Sequence, residues 1–301
     1  MEEWLENFSI WLKDKERAVS TQQEYLYNIR SYLQFLGDKP LPETKKTDIL
    51  RFLTREREKG NSAATRNRKL MAIRSFYKAL TDMELLDTNP AQYIDVAKEK
   101  KERIPTYLDV SSWQFFLTHL KEKSYPVRNQ AMFMLMTLAG LRVVEVHNMN
   151  IDDIHEDAGG IRVFGKGGKS RFIPVDHELM QILLSVKDKR PTPKPEHKRA
   201  LFLSRHGTRI TRRRIQQIAE SIFHELKQSK GKEYLEDVPL SCHKLRHTFG
   251  TSLVRVGVDI RTIQELMGHE NLSTTQIYTH VHNEQKMAAI DKLQAWYNQP
   301  K

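Results

Sequence analysis

Over the first 95 or so residues, apolar side chains recur at intervals of three and four, the period of amphipathic helices. Tyr25, Ile29, Tyr32, Leu33 and Leu36 form one such stripe. Ser20 with Gln23 three residues later has the spacing of a capping box at its start. A second helix can begin at Thr47, turn Leu50 and Leu53 inward and stop at Gly60. A third runs from about Ser62 with Leu70, Ile73, Tyr77 and Leu80 on one side, and Asn89-Pro90 closes the block. The opening segment MEEWLENFSIWLKDKE is acidic and amphipathic, without the basic start and apolar centre of a signal peptide.

Residues 97–104, AKEKKERI, are too charged to bury themselves and read as an exposed linker ahead of Pro105. Beyond it the helical period returns, with one interruption. Ile161-Arg-Val-Phe164 and Arg171-Phe-Ile-Pro-Val175 are strand-like runs on either side of GKGGKS, a hairpin signal. Helical patterns resume at about 177–187, 211–227, 242–256, 259–267 and 283–297. The pattern predicts a mainly α protein with a small β-sheet, in two domains: residues 1–96 and 105–301, joined by 97–104.

Composition narrows the partner. The chain of 301 residues carries a net charge of +11. Residues 1–100 hold 18 basic and 16 acidic side chains, so nearly all the excess lies in the second block. A basic surface favours an anionic polymer, because phosphate contacts release counterions from nucleic acid. No stretch approaches the roughly 18 apolar residues of a membrane span. The single cysteine, Cys242, leaves no internal disulfide and reads as a small packed residue in a cytoplasmic protein.

Several motifs invite chemistry and then fail. Gly165-Lys-Gly-Gly-Lys-Ser170 hints at a P-loop, but Val163 stands where the first glycine belongs and a strand follows where a helix should. His243 and His247 have a zinc-binding spacing, yet the residue after the first is Lys244 and no third ligand is evident, so no metal is expected. A phosphate reading of the same helix fits better. His243 and Arg246 are three apart on one face, and a guanidinium fork suits two phosphate oxygens. Arg142 follows the buried-looking run AMFMLMTLAG, with Glu145 one turn later to orient it. Taken singly, Arg142 with Glu145 is also a plain structural ion pair, and Tyr278 a plain core tyrosine.

In combination, the segments AGLRVVEV, GKGGKSRFIPV, CHKLRHTFGTSL and ELMGHENLSTTQIYTHV resemble the tyrosine recombinase family, which includes phage integrases, Cre and the Xer recombinases. His269 follows Arg246 by 23 residues and precedes Tyr278 by nine, as that pattern expects. The wording LMGHENLSTTQIYTHV is most similar to the Xer and transposon-borne branches.

The resemblance implies a helical core-binding domain that clamps DNA and a catalytic domain ending in a helix. It implies that Arg142 and Arg246 clamp a scissile phosphate and that His243 and His269 donate to its non-bridging oxygens. Lys166 in the hairpin turn would protonate the departing 5′ oxygen, and Glu145 would orient Arg142. Tyr278 would be the nucleophile, forming a 3′-phosphotyrosyl bond that stores the phosphodiester energy. Strand exchange would pass through a Holliday junction without ATP, metal or other cofactor. The partner would be double-stranded DNA with paired inverted half-sites, bound by a homodimer at each site and a tetramer at synapsis. An accessory protein is an open possibility, membranes are not expected, and the location would be cytoplasmic and nucleoid-associated.

Arg66, Arg68 and Lys69 are candidate DNA contacts of the first domain; a solvated helix face is the alternative. Arg212, Arg213 and Arg214, with Gln216 and Gln217 beyond them, are candidates to read a groove or to hold phosphates. Met287, Ile290, Leu293 and Trp296 on the last helix would dock on a neighbouring subunit or fold back on their own domain. Two competing functions remain: a type IB topoisomerase with the same chemistry, and a DNA-binding protein that has lost catalysis. The two-domain plan and the Xer-like wording argue against the first, and the complete residue set against the second.

Overall fold

The computed structural model describes residues 1–98, 107–165, 168–230 and 241–268. The chain divides into two compact units, Met1–Arg103 and Ile104–Lys301. No helix among the described residues is long and apolar enough to cross a membrane.

The first unit is helical: α1 (Glu2–Asp14), α2 (Val19–Leu36), α3 (Lys46–Glu58) and α4 (Ala63–Asp82). Its core is aromatic. Phe8 meets Phe76 edge-on at 5.4 Å, and Tyr32 meets Phe52 at 5.3 Å. Tyr32 and Tyr77 have their hydroxyls 3.1 Å apart, so one buried O–H donates to the other's oxygen. The stripe of α4 is as the sequence predicts, with Leu70, Ile73, Tyr77 and Leu80 all buried and Ser62 capping the Thr65 amide.

Two local expectations need correction. Helix α2 begins at Val19 with Ala18 as its cap, because the Ala18 carbonyl accepts from the amides of Thr21 and Gln22; Ser20 lies inside the first turn. In α3 Ile49 and Phe52 are buried and Leu53 packs half-buried against the same core as expected, whereas Leu50 is 42% exposed. Contact of Phe52 with Tyr32 sets that rotation.

The second unit is built around α6 (Pro126–Leu138), in which every residue from Ala131 to Thr137 is buried. A helix apolar on all sides must sit centrally. It packs against α5 (Val110–Lys121), α8 (His177–Lys189) and α10 (Cys242–Arg255). The remaining helices are α7 (Val143–Asn148), α9 (Arg212–Lys230) and α11 (Ile260–Met267). A three-stranded antiparallel sheet runs β1 (Ile154–His155), β2 (Gly160–Phe164), β3 (Ser170–Pro174). The hairpin β2–β3 is the predicted one; β1 is an addition that pattern reading does not find. Of the segments expected from sequence, residues 99–104 of the linker and the helix at 283–297 lie outside the described residues.

The turn after α6 is tightly controlled by the core. Gly140 sits at φ +66°, and a Cβ there would meet the Phe249 ring at 2.4 Å. Gly140→Ala is expected to lower unfolding free energy by about 2 kcal/mol or more, from left-handed strain plus overpacking. Denaturant titration checks this; an unchanged midpoint would contradict it.

Candidate active site

Arg142 is the second residue after Gly140 and caps α7. Its extended backbone (φ −76°, ψ 153°) aims its amide at the side chain three residues on, and the Arg142 N–H donates to Glu145 Oε2 at 2.7 Å. Its guanidinium donates to Glu145 Oε1 at 3.0 Å. One carboxylate thus fixes both the backbone and the side chain of the arginine.

Glu145 also holds two further guanidiniums. Arg171 on β3 grips it with two parallel bonds, at 2.9 and 3.0 Å. Arg246 on α10 approaches to 3.7 Å. The Glu145 side chain is only 2% exposed. Burial pushes its pKa up, but the hydrogen bonds and charge of Arg171, the Arg142 amide and the charge of Arg246 outweigh that and hold it below the usual range. It is an anion at neutral pH, shared by three cations.

The same arginines gather the carbonyls at the end of α11. Arg171 Nε donates to Leu266 O at 2.9 Å, Arg246 Nη2 to Met267 O at 2.5 Å, and Arg142 Nη2 to Gly268 O at 3.2 Å. Arg246 also donates to the Gly140 carbonyl. Unsatisfied carbonyls and the negative pole of a helix end both favour cations here. Gly268, at φ +62°, leaves room for the cluster: a Cβ would meet Arg171 Nη1 at 2.9 Å.

His243 precedes Arg246 by one turn on α10. One side of its residue opens to solvent, yet the packing round the ring, then the charges of Arg246 and Arg142, lower its pKa. His247, one turn further on, is pushed down to about 4 by burial and by Lys244, His243 and Arg246. Burial raises the Cys242 thiol to about 12, so it is no nucleophile at neutral pH.

The structure therefore brings together Arg142, Glu145 and Arg246, with His243 one turn from Arg246 on the same helix. Lys166, His269 and Tyr278 lie outside the described residues. Arg171 is the residue that pattern reading misses, although it leaves a signal. Strand alternation puts Arg171 on the same side as the buried Ile173, and its cross-strand partner is Val163. A charge on the core-facing side of a strand demands a buried partner.

Other candidates are dispersed. Lys69 is 12% exposed and paired with Glu56 at 2.9 Å, so its charge is already engaged. Arg68 pairs loosely with Glu24 at 3.4 Å, and Arg66 Nε is enclosed without a hydrogen-bond partner among the described residues. Arg212, Arg213 and Arg214 are exposed at the start of α9, Arg213 paired with Glu220 at 3.1 Å.

Comparison with known proteins fits this geometry. The model of the phage integrase family matches residues 106–285, and that of the phage integrase N-terminal SAM-like domain matches residues 3–84. The chain belongs to the phage integrase family. It is 33% identical to the tyrosine recombinase XerD of Oceanobacillus iheyensis over 276 residues, 88% of this chain and 90% of that protein. It is 34% identical to the tyrosine recombinase XerC of Bacillus subtilis, covering 90% and 89%. The fold is shared with the Tn1549 transposon integrase solved with transposon right end DNA (TM-score 0.76, 22% identity, covering 96% of this chain and 99% of that one). It is also shared with XerH bound to palindromic difH (TM-score 0.73, 20% identity, 93% and 82%). The chain is a tyrosine recombinase, and site-specific recombination of DNA is its activity.

The depressed histidines give a pH signature for this phage integrase family member. Between the unfolded histidine pKa, about 6.5, and the folded His247 value of about 4, the unfolded chain binds protons that the folded chain refuses. Stability therefore falls as pH drops through that window. Glu145, held low, contributes stability above the ordinary carboxylate range, which is lost only as pH falls through its folded value. His247→Asn is expected to flatten the loss between pH 6.5 and 4, measured by urea midpoints. An equally steep loss in the variant would show that His247 does not carry it.

Proposed function

We propose that this recombinase cuts and rejoins DNA strands through a 3′-phosphotyrosyl bond to Tyr278, with exchange through a Holliday junction. The observation that carries the proposal is the charge balance at Glu145. Three guanidiniums face one carboxylate, leaving two net positive charges in a largely dry pocket. A phosphodiester brings one negative charge in the ground state and approaches two in a five-coordinate transition state. The cluster matches the second state better than the first, which is what lowers a barrier.

In the proposed step Tyr278 gives up its hydroxyl proton to water and its phenolate oxygen attacks phosphorus and forms a P–O bond, while the bond to the 5′ oxygen breaks. Lys166 gives that oxygen its proton. Arg142 and Arg246 hold the non-bridging oxygens, aided by His243 and His269, and Glu145 with Arg171 keeps both arginines in register. Attack by another 5′-hydroxyl reverses the step, so no ATP or other cofactor is consumed. Arg66, Arg68, Lys69, Arg212, Arg213 and Arg214 are proposed as duplex contacts; of these Lys69 has the weakest support, being paired with Glu56. The structures of relatives bound to transposon end DNA and to a palindromic site support a substrate of double-stranded DNA with paired inverted half-sites. A dimer per site, a tetramer at synapsis, help from an accessory protein and a cytoplasmic, nucleoid-associated location belong to the same proposal. Docking of the helix at 283–297 on a neighbouring subunit belongs to it too.

The test is cleavage of a nicked duplex carrying the native site, resolved on denaturing gels. The wild type should leave a covalent adduct at the 3′ phosphate, and Tyr278→Phe should bind the duplex but leave none. An adduct in Tyr278→Phe would contradict the assignment. Arg142→Ala should slow adduct formation by roughly 10²–10³, the usual loss when one donor to a developing anion is removed.

A further inference from the structure

Helix α7 has Arg142 as its N-cap and only six residues, Val143–Asn148, behind it. Six residues make less than two turns, and a helix so short is not stable alone, because its first turn fixes many dihedrals for one hydrogen bond. Glu145 fastens the N-terminal end, through the Arg142 amide and guanidinium. The last carbonyls of any helix lack amide partners inside it. What meets them in α7 decides whether the helix, and Arg142 with it, has one position or several.

One side chain gathers the acceptors at that end. Arg209 Nη1 donates to His147 O at 2.8 Å and to Met149 O at 3.0 Å, and Nη2 donates to Asn150 Oδ1 at 2.6 Å. A cation suits the negative pole of a helix. His147 completes a second link in the opposite sense, its Nδ1 lying 2.7 Å from Ile210 O. A carbonyl only accepts, so Nδ1 carries the proton. Burial, with the charges of Arg209 and Arg212, lowers the His147 pKa against the pull of that carbonyl, and the ring is neutral at pH 7. The side chain of Arg209 thus holds the backbone of His147, and the side chain of His147 holds the backbone of Ile210.

This reciprocal brace stands on a fixed base. Arg209 pairs with Leu203 across an antiparallel bridge, and the Ile210 amide donates to Phe202 O at 2.9 Å. Phe202, Leu203 and Ile210 are all buried. The Met149 carbonyl accepts a further bond from the Leu201 amide at 3.1 Å. The donors of Arg209 are engaged on the end of α7, whereas Arg212, Arg213 and Arg214 are exposed. At 1.5 Å per residue α7 is about 9 Å long, so a tilt at one end is felt at the other. A misplacement of about 1 Å at a reacting centre can slow chemistry by roughly 10².

We infer that Arg209 and His147 are positioning residues for strand cleavage: by fixing the C-terminal end of α7 they hold Arg142 and Glu145, at its other end, in register with the scissile phosphate. The inference rests on the reading that Arg142 holds that phosphate. Neither Arg209 nor His147 touches DNA in this account.

The test uses the full-length protein and the nicked duplex carrying the native site. Arg209→Met, which keeps the length of the side chain and removes its donors, is made in the wild type and in Arg142→Ala. In the wild type it should slow adduct formation by roughly tenfold or more, with duplex affinity and its salt dependence unchanged. In Arg142→Ala the same substitution should cost at least roughly fivefold less, because the residue it positions is gone. Equal losses in both backgrounds would show general weakening of the fold and overturn the inference. So would a fall of about 1 in the slope of log affinity against log salt, which would make Arg209 a phosphate contact. Circular dichroism and melting temperature establish that each variant folds. If Arg209→Met does not, His147→Leu, which breaks the other arm of the brace, takes its place with the same expectations. If Arg142→Ala alone cleaves at the wild-type rate, the reading of the active centre fails and takes the inference with it. If Arg142→Ala is slow and the losses are equal, only the inference fails.

Discussion

The arginine cluster of this recombinase's second unit is organised around one buried carboxylate, Glu145. Glu145 caps α7 through the Arg142 amide, receives two bonds from Arg171 on the sheet and draws Arg246 in from α10. Helix, strand and a second helix thus meet on two oxygen atoms. An anion in so dry a place is unfavourable on its own, since isolated buried charges lose several kcal/mol of hydration. Three guanidiniums more than compensate, and in the proposed reaction their surplus positive charge meets the phosphate.

The geometry also explains why small residues stand where they do. The three arginines compete for space with the end of α11, whose carbonyls at 266, 267 and 268 they all use. Glycine at 268 avoids a Cβ contact with Arg171, and glycine at 140 avoids one with Phe249 while presenting its carbonyl to Arg246. Two left-handed glycines therefore let guanidiniums and backbone approach one another. Depressed pKa values at His243 and His247 arise from burial and from the neighbouring cations.

Much of this is legible in the sequence. The period of α4 and α10, the β2–β3 hairpin, the all-round apolar α6 and the pairing of Arg142 with Glu145 all come from local patterning. The features that are not legible depend on tertiary geometry. Helix α2 starts at Val19 because the preceding turn, not the Ser20 hydroxyl, supplies the cap. Leu50 faces outward because aromatic packing, invisible to a stripe count, rotates α3. Charge alone makes Lys69 a candidate duplex contact, yet Glu56, 13 residues earlier in the chain, already holds it. Arg171 is hidden in a motif conspicuous for its glycines and lysines, while its partner Glu145 lies 26 residues away.

The most direct measurement concerns the shared carboxylate. Cleavage by the wild type and by Arg171→Ala would be timed on a normal nicked duplex and on one with a neutral methylphosphonate at the scissile position. If Arg171 acts by holding Glu145 and the two arginines against a charged phosphate, the variant should be much slower on the normal substrate. On the methylphosphonate, where less charge needs balancing, its deficit should shrink by roughly tenfold or more, the scale of one donor to a developing anion. Equal deficits on both substrates would contradict the account, because they would show that Arg171 supports the fold and not the charge balance at the phosphate.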